Sequence, residues 1–162
     1  SVTGVQTCAL PIKLAVADVP VPVPQGFWDE GLAKIPANLF FRDRRADALA
    51  IAKQLEDKAA TTSQKLSIAR FYLTIENGAE AKRVAEAVTA GEPNSAEAFT
   101  VLGLAERIDF QLEAAETAFQ KATELDTASA ESRQSLAETK RALGKPNEAI
   151  ELYRSKIGRA HV

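Results

Sequence analysis

The chain is similar to itself at a fixed offset, and few folds accommodate that. "TSQKLSIARFYLTIENGAEAKRVAEAVTAGEP" (62–93), "AEAFTVLGLAERIDFQLEAAETAFQKATELDT" (96–127) and "AESRQSLAETKRALGKPNEAIELYRSK" (130–156) align without a gap at steps of 34 residues. Ile68, Leu102 and Leu136 share a register position, as do Ala69, Gly103 and Ala137, and Ala81, Ala115 and Ala149. Ala85, Phe119 and Tyr153 follow in register. A unit of this length with apolar residues at helical spacing cannot bury its own apolar face, so it closes a core only by stacking on its neighbours. Small residues at Gly103, Ala115 and Ala149 let paired helices approach, while Phe119 and Tyr153 are expected to fill the space between units. Breaks are expected at "ENG" (76–78), "AGEPNS" (90–95), "DTAS" (126–129) and "GKPN" (144–147), with Pro146 at a first helical position, where a missing amide hydrogen costs nothing.

This pattern resembles the tetratricopeptide repeat (TPR), a 34-residue helix–turn–helix unit with W-x2-L-G-x2-Y, then A-x3-F, then P. The middle unit carries Phe99 in the aromatic position, Leu102-Gly103 as written, and "AETAF" from Ala115 to Phe119. Tyr72 supplies the tyrosine in the first unit only; Glu106 and Lys140 stand there later. Pro93 matches the closing proline, whereas Thr127 does not. The resemblance covers 62–156 and implies an all-α fold, an α-solenoid of antiparallel helix pairs: units over 62–95 and 96–129 and a truncated one over 130–156.

Upstream, Ala48, Ile51, Ala52, Leu55 and Ala59 fall at helical spacing, which predicts a helix within 44–60. It is read as a capping helix, or as the degenerate second helix of an earlier unit, with Phe27, Trp28, Leu39, Phe40 and Phe41 packing on that end. Its entrance, "FRDRR", is read as a solvated helix start because Asp43 interrupts the arginines. Before it, prolines alternate with valine from Pro20 to Pro24, which predicts an extended, polyproline-II-like linker within 13–43. At the other end Ile150, Leu152 and Tyr153 lack a following unit, and fraying is expected over 147–156.

The two termini are read apart from the fold. Gln6–Ile12 can be encoded as CAG ACG TGT GCT CTT CCG ATC and Ile157–Val162 as ATC GGA AGA GCA CAC GTC, and the second string is the reverse complement of a stretch inside the first. Val2–Ile12 resembles a translated sequencing adapter, so 1–12 and 157–162 are expected to be foreign, unpacked tails, and the natural start to lie elsewhere, the chain having no methionine. That removes Cys8 and His161 from consideration, and with them a lipid anchor, zinc ligation and Cys- or His-based catalysis.

Other chemistry is sparse. "LGKP" (143–146) superficially resembles a phosphate loop but has Thr139 where a glycine is needed and Pro146 where Ser or Thr is needed. The carboxylate pairs Glu113/Glu116 and Glu148/Glu151 are expected to face water. Residues 96–155 hold eleven acids against seven bases, a balance that disfavours binding a phosphate backbone. No run reaches the roughly 18 apolar residues a membrane span needs. No enzyme activity, cofactor or metal is therefore expected.

What the resemblance implies is binding. In the family, first helices line a concave groove that holds peptides or partner helices; by register the groove here presents Leu66, Arg70, Leu73 and Thr74, then Thr100, Leu104, Arg107 and Ile108, then Gln134, Glu138 and Arg141. The carboxylate-clamp subclass carries an asparagine where Arg70 stands, so the sequence departs from it. The expected function is a protein-interaction module within a larger bacterial protein, cytoplasmic or exported. A spacer or regulatory domain of an enzyme or envelope protein, or a self-associating array, stays open.

Overall fold

The computed structural model describes residue 40 and residues 43–157, with side chains as far as Arg154. The flanking tails, the proline-rich stretch, and Phe27, Trp28, Leu39 and Phe41 lie outside the described residues. Within them the chain forms seven helices and no strand: α1 (Arg45–Lys58), α2 (Thr62–Thr74), α3 (Gly78–Gly91), α4 (Ala96–Ile108), α5 (Leu112–Leu125), α6 (Ala130–Ala142) and α7 (Pro146–Ile157).

Helix starts are fixed by local chemistry. Thr61 and Gln64 form a reciprocal capping box at α2, while Asn77, Ser95 and Ser129 each accept a bond from the backbone N–H three residues on at α3, α4 and α6. Each cap satisfies one of the amide donors a helix start otherwise leaves open. The turns inside the three helix pairs pass through one left-handed residue each, at the same register position: Glu76 (φ 56°), Phe110 (φ 58°) and Gly144 (φ 74°). Only Gly144 is a residue without a steric penalty there.

Stacking produces an all-α solenoid of antiparallel helix pairs, α2/α3, α4/α5 and α6/α7, with α1 packed before the first. One apolar cluster runs from Ala48, Ile51 and Leu55 through Phe71, Val84 and Val88 to Val101 and Ala105; a second joins Ala115 and Phe119 to Leu136. Phe40 packs against the first cluster, and the Arg45 guanidinium lies 5.1 Å from its ring centre. Gly103 is the tightest approach: a Cβ there would lie 2.7–2.9 Å from three ring atoms of Phe119, which is fully buried. Phe119 thus fills its place by pressing on α4 of its own pair and touching Leu136 of the next. Its register equivalent Tyr153 does not fill such a space, being 42% exposed beside Ile150, because no described helix follows α7. Leu152 is half-buried and packs on the second cluster.

The tyrosine position of the repeat is solved three ways. Tyr72 donates to Glu56 at 3.3 Å, and burial, followed by the Glu56 charge, pushes its phenol up to about 12. Glu106 pairs with Lys82 at 2.9 Å, and Lys140 pairs with Glu116 at 2.7 Å and Glu148 at 2.6 Å. Lys82 and Glu116 are themselves register equivalents, so consecutive unit boundaries carry the same ion pair with its polarity reversed. Glu116 is therefore buried, with Lys145 as a second partner at 2.7 Å, and does not face water as expected of an amphipathic helix. Bonds from Lys140 and then Lys145 hold its carboxyl below the usual range, and those to Glu116 and Glu148 raise Lys140. Glu113, Glu148 and Glu151 are exposed.

Candidate peptide-binding face

Curvature follows from which helices touch. The first helices of successive pairs approach one another, α2 against α4 and α4 against α6, whereas no Cα of α3 comes within 8 Å of α5, nor any of α5 within 8 Å of α7. First helices therefore line the inner, concave side and second helices the outer side.

The inner face is not the strip that register alone implies. Leu66 (1% exposed) and Thr100 (2%) lie in the interior and present nothing to the groove. Thr100 Oγ1 sits 2.8 Å from Ser132 Oγ, which sits 2.8 Å from Ser129 Oγ, so a hydroxyl chain ties α4 to the start of α6. Leu73, Leu104 and Ile108 are half-buried, forming an apolar strip of partial depth, while Thr74, Gln134 and Arg141 are exposed.

The charged residues are tied to one another. Arg70 on α2 grips Glu131 at the first turn of α6 through two parallel bonds of 2.9 and 3.0 Å and reaches Glu97 at 3.4 Å, so one guanidinium links all three first helices. That fork raises the Arg70 pKa and holds the Glu131 carboxyl low, in both cases chiefly through the shared hydrogen bonds. Farther along, Glu138 accepts from Gln134 at 2.9 Å and from Arg107 at 2.8 Å, which lowers its pKa in that order of effect. The Arg141 guanidinium has no ion-pair partner among the described residues. Glu97 and Glu131 were not among the residues the register singled out, although Ser63, Glu97 and Glu131 share one position and the change to acid is visible there.

A depression of about 510 Å³ opens elsewhere, between α1, α2 and α3, lined by Leu49, Lys53, Glu56, Tyr72 and Arg83 among others. Its central carboxylate, Glu56, is held by Arg83 at 2.7 Å and by Tyr72, so it is structural rather than a free base. Among the described residues no group of three or more His, Cys, Asp or Glu is placed to hold a metal ion, and no helix is long and apolar enough to cross a membrane.

No family model matches the chain, and no curated protein sequence does. Solved structures do. MamA (residues 41 to the end) from Desulfovibrio magneticus RS-1 is 26% identical over 80% of this chain and 75% of its own, with a TM-score of 0.65. The TPR domain of Sgt2 from Aspergillus fumigatus is 22% identical over 78% of this chain and 84% of its own (TM-score 0.58). The second TPR domain of human RPAP3, solved in complex with the HSP70 peptide SGPTIEEVD, is 20% identical over 67% and 92% (TM-score 0.53). The fold is that of the tetratricopeptide repeat.

Proposed function

We propose that this TPR-type solenoid is a protein-interaction module that holds an extended or helical segment of a partner protein on the inner face of α2, α4 and α6. The observation that carries the reading is the inward placement of three first helices with Leu73, Leu104 and Ile108 left half-open between charged borders. A segment laid there covers apolar surface at roughly 25 cal/mol per Å² and meets polar groups already fixed in position. A neighbour of the same fold, RPAP3, holds an acidic HSP70 peptide. Here an acidic peptide would have to displace Glu131 from a two-bond grip on Arg70, so the groove favours a segment whose main anchors are apolar.

The test is selection of random peptides displayed on phage against the whole chain, followed by affinity measurement on variants. Leu104→Glu and Ile108→Glu should weaken the selected peptides at least tenfold, with Glu86→Lys on α3 as a control that leaves them unchanged. Selection of nothing, or of peptides indifferent to both inner-face substitutions, contradicts the reading.

A second reading, self-association or attachment as a spacer, is favoured by Ile150 and Tyr153, exposed at 45% and 42% on the last helix. Sedimentation at several concentrations separates it from the first.

A further inference from the structure

The three hairpin turns offer an internal comparison. In the first and third units an apolar residue, Ile75 or Leu143, ends the first helix half-buried, and the next residue, Glu76 or Gly144, takes the left-handed position. Ile75 spends its side chain on the core. The second unit has the order reversed: Asp109 ends the helix, exposed, and Phe110 takes the left-handed position with its side chain 86% exposed. Exchanging these two residues would reproduce the order of the other two turns and give the turn a residue that tolerates φ > 0 far better. Instead, the most exposed large apolar side chain among the described residues stands on a backbone that disfavours it. Strained positions cluster at functional sites.

The surroundings say what the ring meets. Glu76 occupies the same turn position in the preceding unit, Asp109 precedes Phe110, and Glu113 lies on the first turn of α5. None of the three makes an ion pair among the described residues. The Asp109 carboxylate occupies the space that a side chain on Gly78, at the start of α3, would need. This edge of the solenoid therefore shows one aromatic ring beside carboxylates without close ion pairs, of which Asp109 alone feels the charge of Lys82, outside the concave face.

We propose that Phe110 anchors a second protein contact, on the hairpin-turn edge, with a cationic amphipathic helix: its apolar stripe takes the ring and its lysines or arginines meet Glu76, Asp109 and Glu113. Aromatic anchors of this kind carry a large share of an interface's energy, and opposite charges around them favour encounter and register.

The experiment titrates the whole chain with a helical leucine/lysine peptide and with its leucine/glutamate counterpart, following backbone amide shifts. The lysine peptide should move residues around 76 and 109–113 and bind at least tenfold more tightly than the glutamate peptide, and Phe110→Ala should reduce that affinity at least tenfold. Phe110→Gly should abolish binding without lowering the melting temperature, because the turn loses strain and no packing. No binding of the lysine peptide up to millimolar concentration, equal binding of both peptides, or binding indifferent to Phe110→Ala overturns the proposal. A lower melting temperature in Phe110→Gly overturns it too, by showing the ring to be structural, and Phe110-dependent self-association in sedimentation overturns it in favour of a contact between copies.

Discussion

Gly103 and Phe119 make the sharpest test of how the units are packed. A methyl group added at Gly103 would stand 2.7–2.9 Å from three atoms of a ring that is 0% exposed and has Leu136 behind it. Forcing a methyl into packing this closed costs about 1–3 kcal/mol. Against that, alanine is better than glycine inside a helix by about 1 kcal/mol. Gly103→Ala alone should therefore lose up to about 2 kcal/mol, several degrees in Tm for a domain of this size. The deciding measurement is a double-mutant cycle by urea denaturation. In a Phe119→Leu background the clash is relieved, and Gly103→Ala should become stabilising by about 1 kcal/mol, a coupling of about 1–3 kcal/mol. If Gly103→Ala stabilises in both backgrounds, with effects additive within about 0.5 kcal/mol, the ring does not press on α4 and the packing described is wrong.

Reversed polarity at successive unit boundaries predicts specific rescue. Glu106→Lys sets two ammonium groups against each other and should cost on the order of 3 kcal/mol, less what the more exposed Lys82 recovers from water, and Lys82→Glu in the same chain should restore most of it. Stability should also depend on pH with a defined sign. Glu116, Glu131 and Glu138 have lowered pKa values, so their contributions are complete above about pH 5 and are lost as pH falls through the folded-state values; Lys140 is raised, so its contribution is complete below about pH 10 and is lost as pH rises through its folded-state value. Urea denaturation should be flat between about pH 6 and 9 and weaken toward pH 3, less steeply in Glu116→Gln. Hydrogen exchange should show 147–156 opening well before 112–125, since α7 leaves Ile150 and Tyr153 uncovered; equal protection would contradict that.

The repeat made the fold class legible because spacing and small residues act locally and recur: Gly103, Ala115 and Ala149 each mark a helix contact from their own register. What depends on curvature was not legible. The bond from Arg70 to Glu131 crosses 61 residues and requires three helices to curve toward one another, and the recurring acid at the Glu97/Glu131 position does not by itself name its partner. Leu66 and Thr100 belong to the groove only if their register position opens into it, as carrying over the repeat's register implies. Here Leu66 enters the core, and the Thr100 hydroxyl closes onto Ser132. Glu116 reads as a solvated helix acid until it is set beside Lys82 and Lys140 in register, where opposite charges at paired positions reveal a boundary contact. Phe110 shows only when the three turns are compared, because the misplaced residue is defined by Ile75 and Leu143.

Partner segments are expected on the inner face of α2, α4 and α6. The most direct test of that placement is amide-shift mapping of the labelled chain with a peptide selected by display. Shifts should concentrate at Leu73, Thr74, Leu104, Arg107, Ile108, Glu138 and Arg141, with the Arg70 and Glu131 signals moving together. Shifts confined to α3, α5 and α7, with the first helices silent, would contradict it.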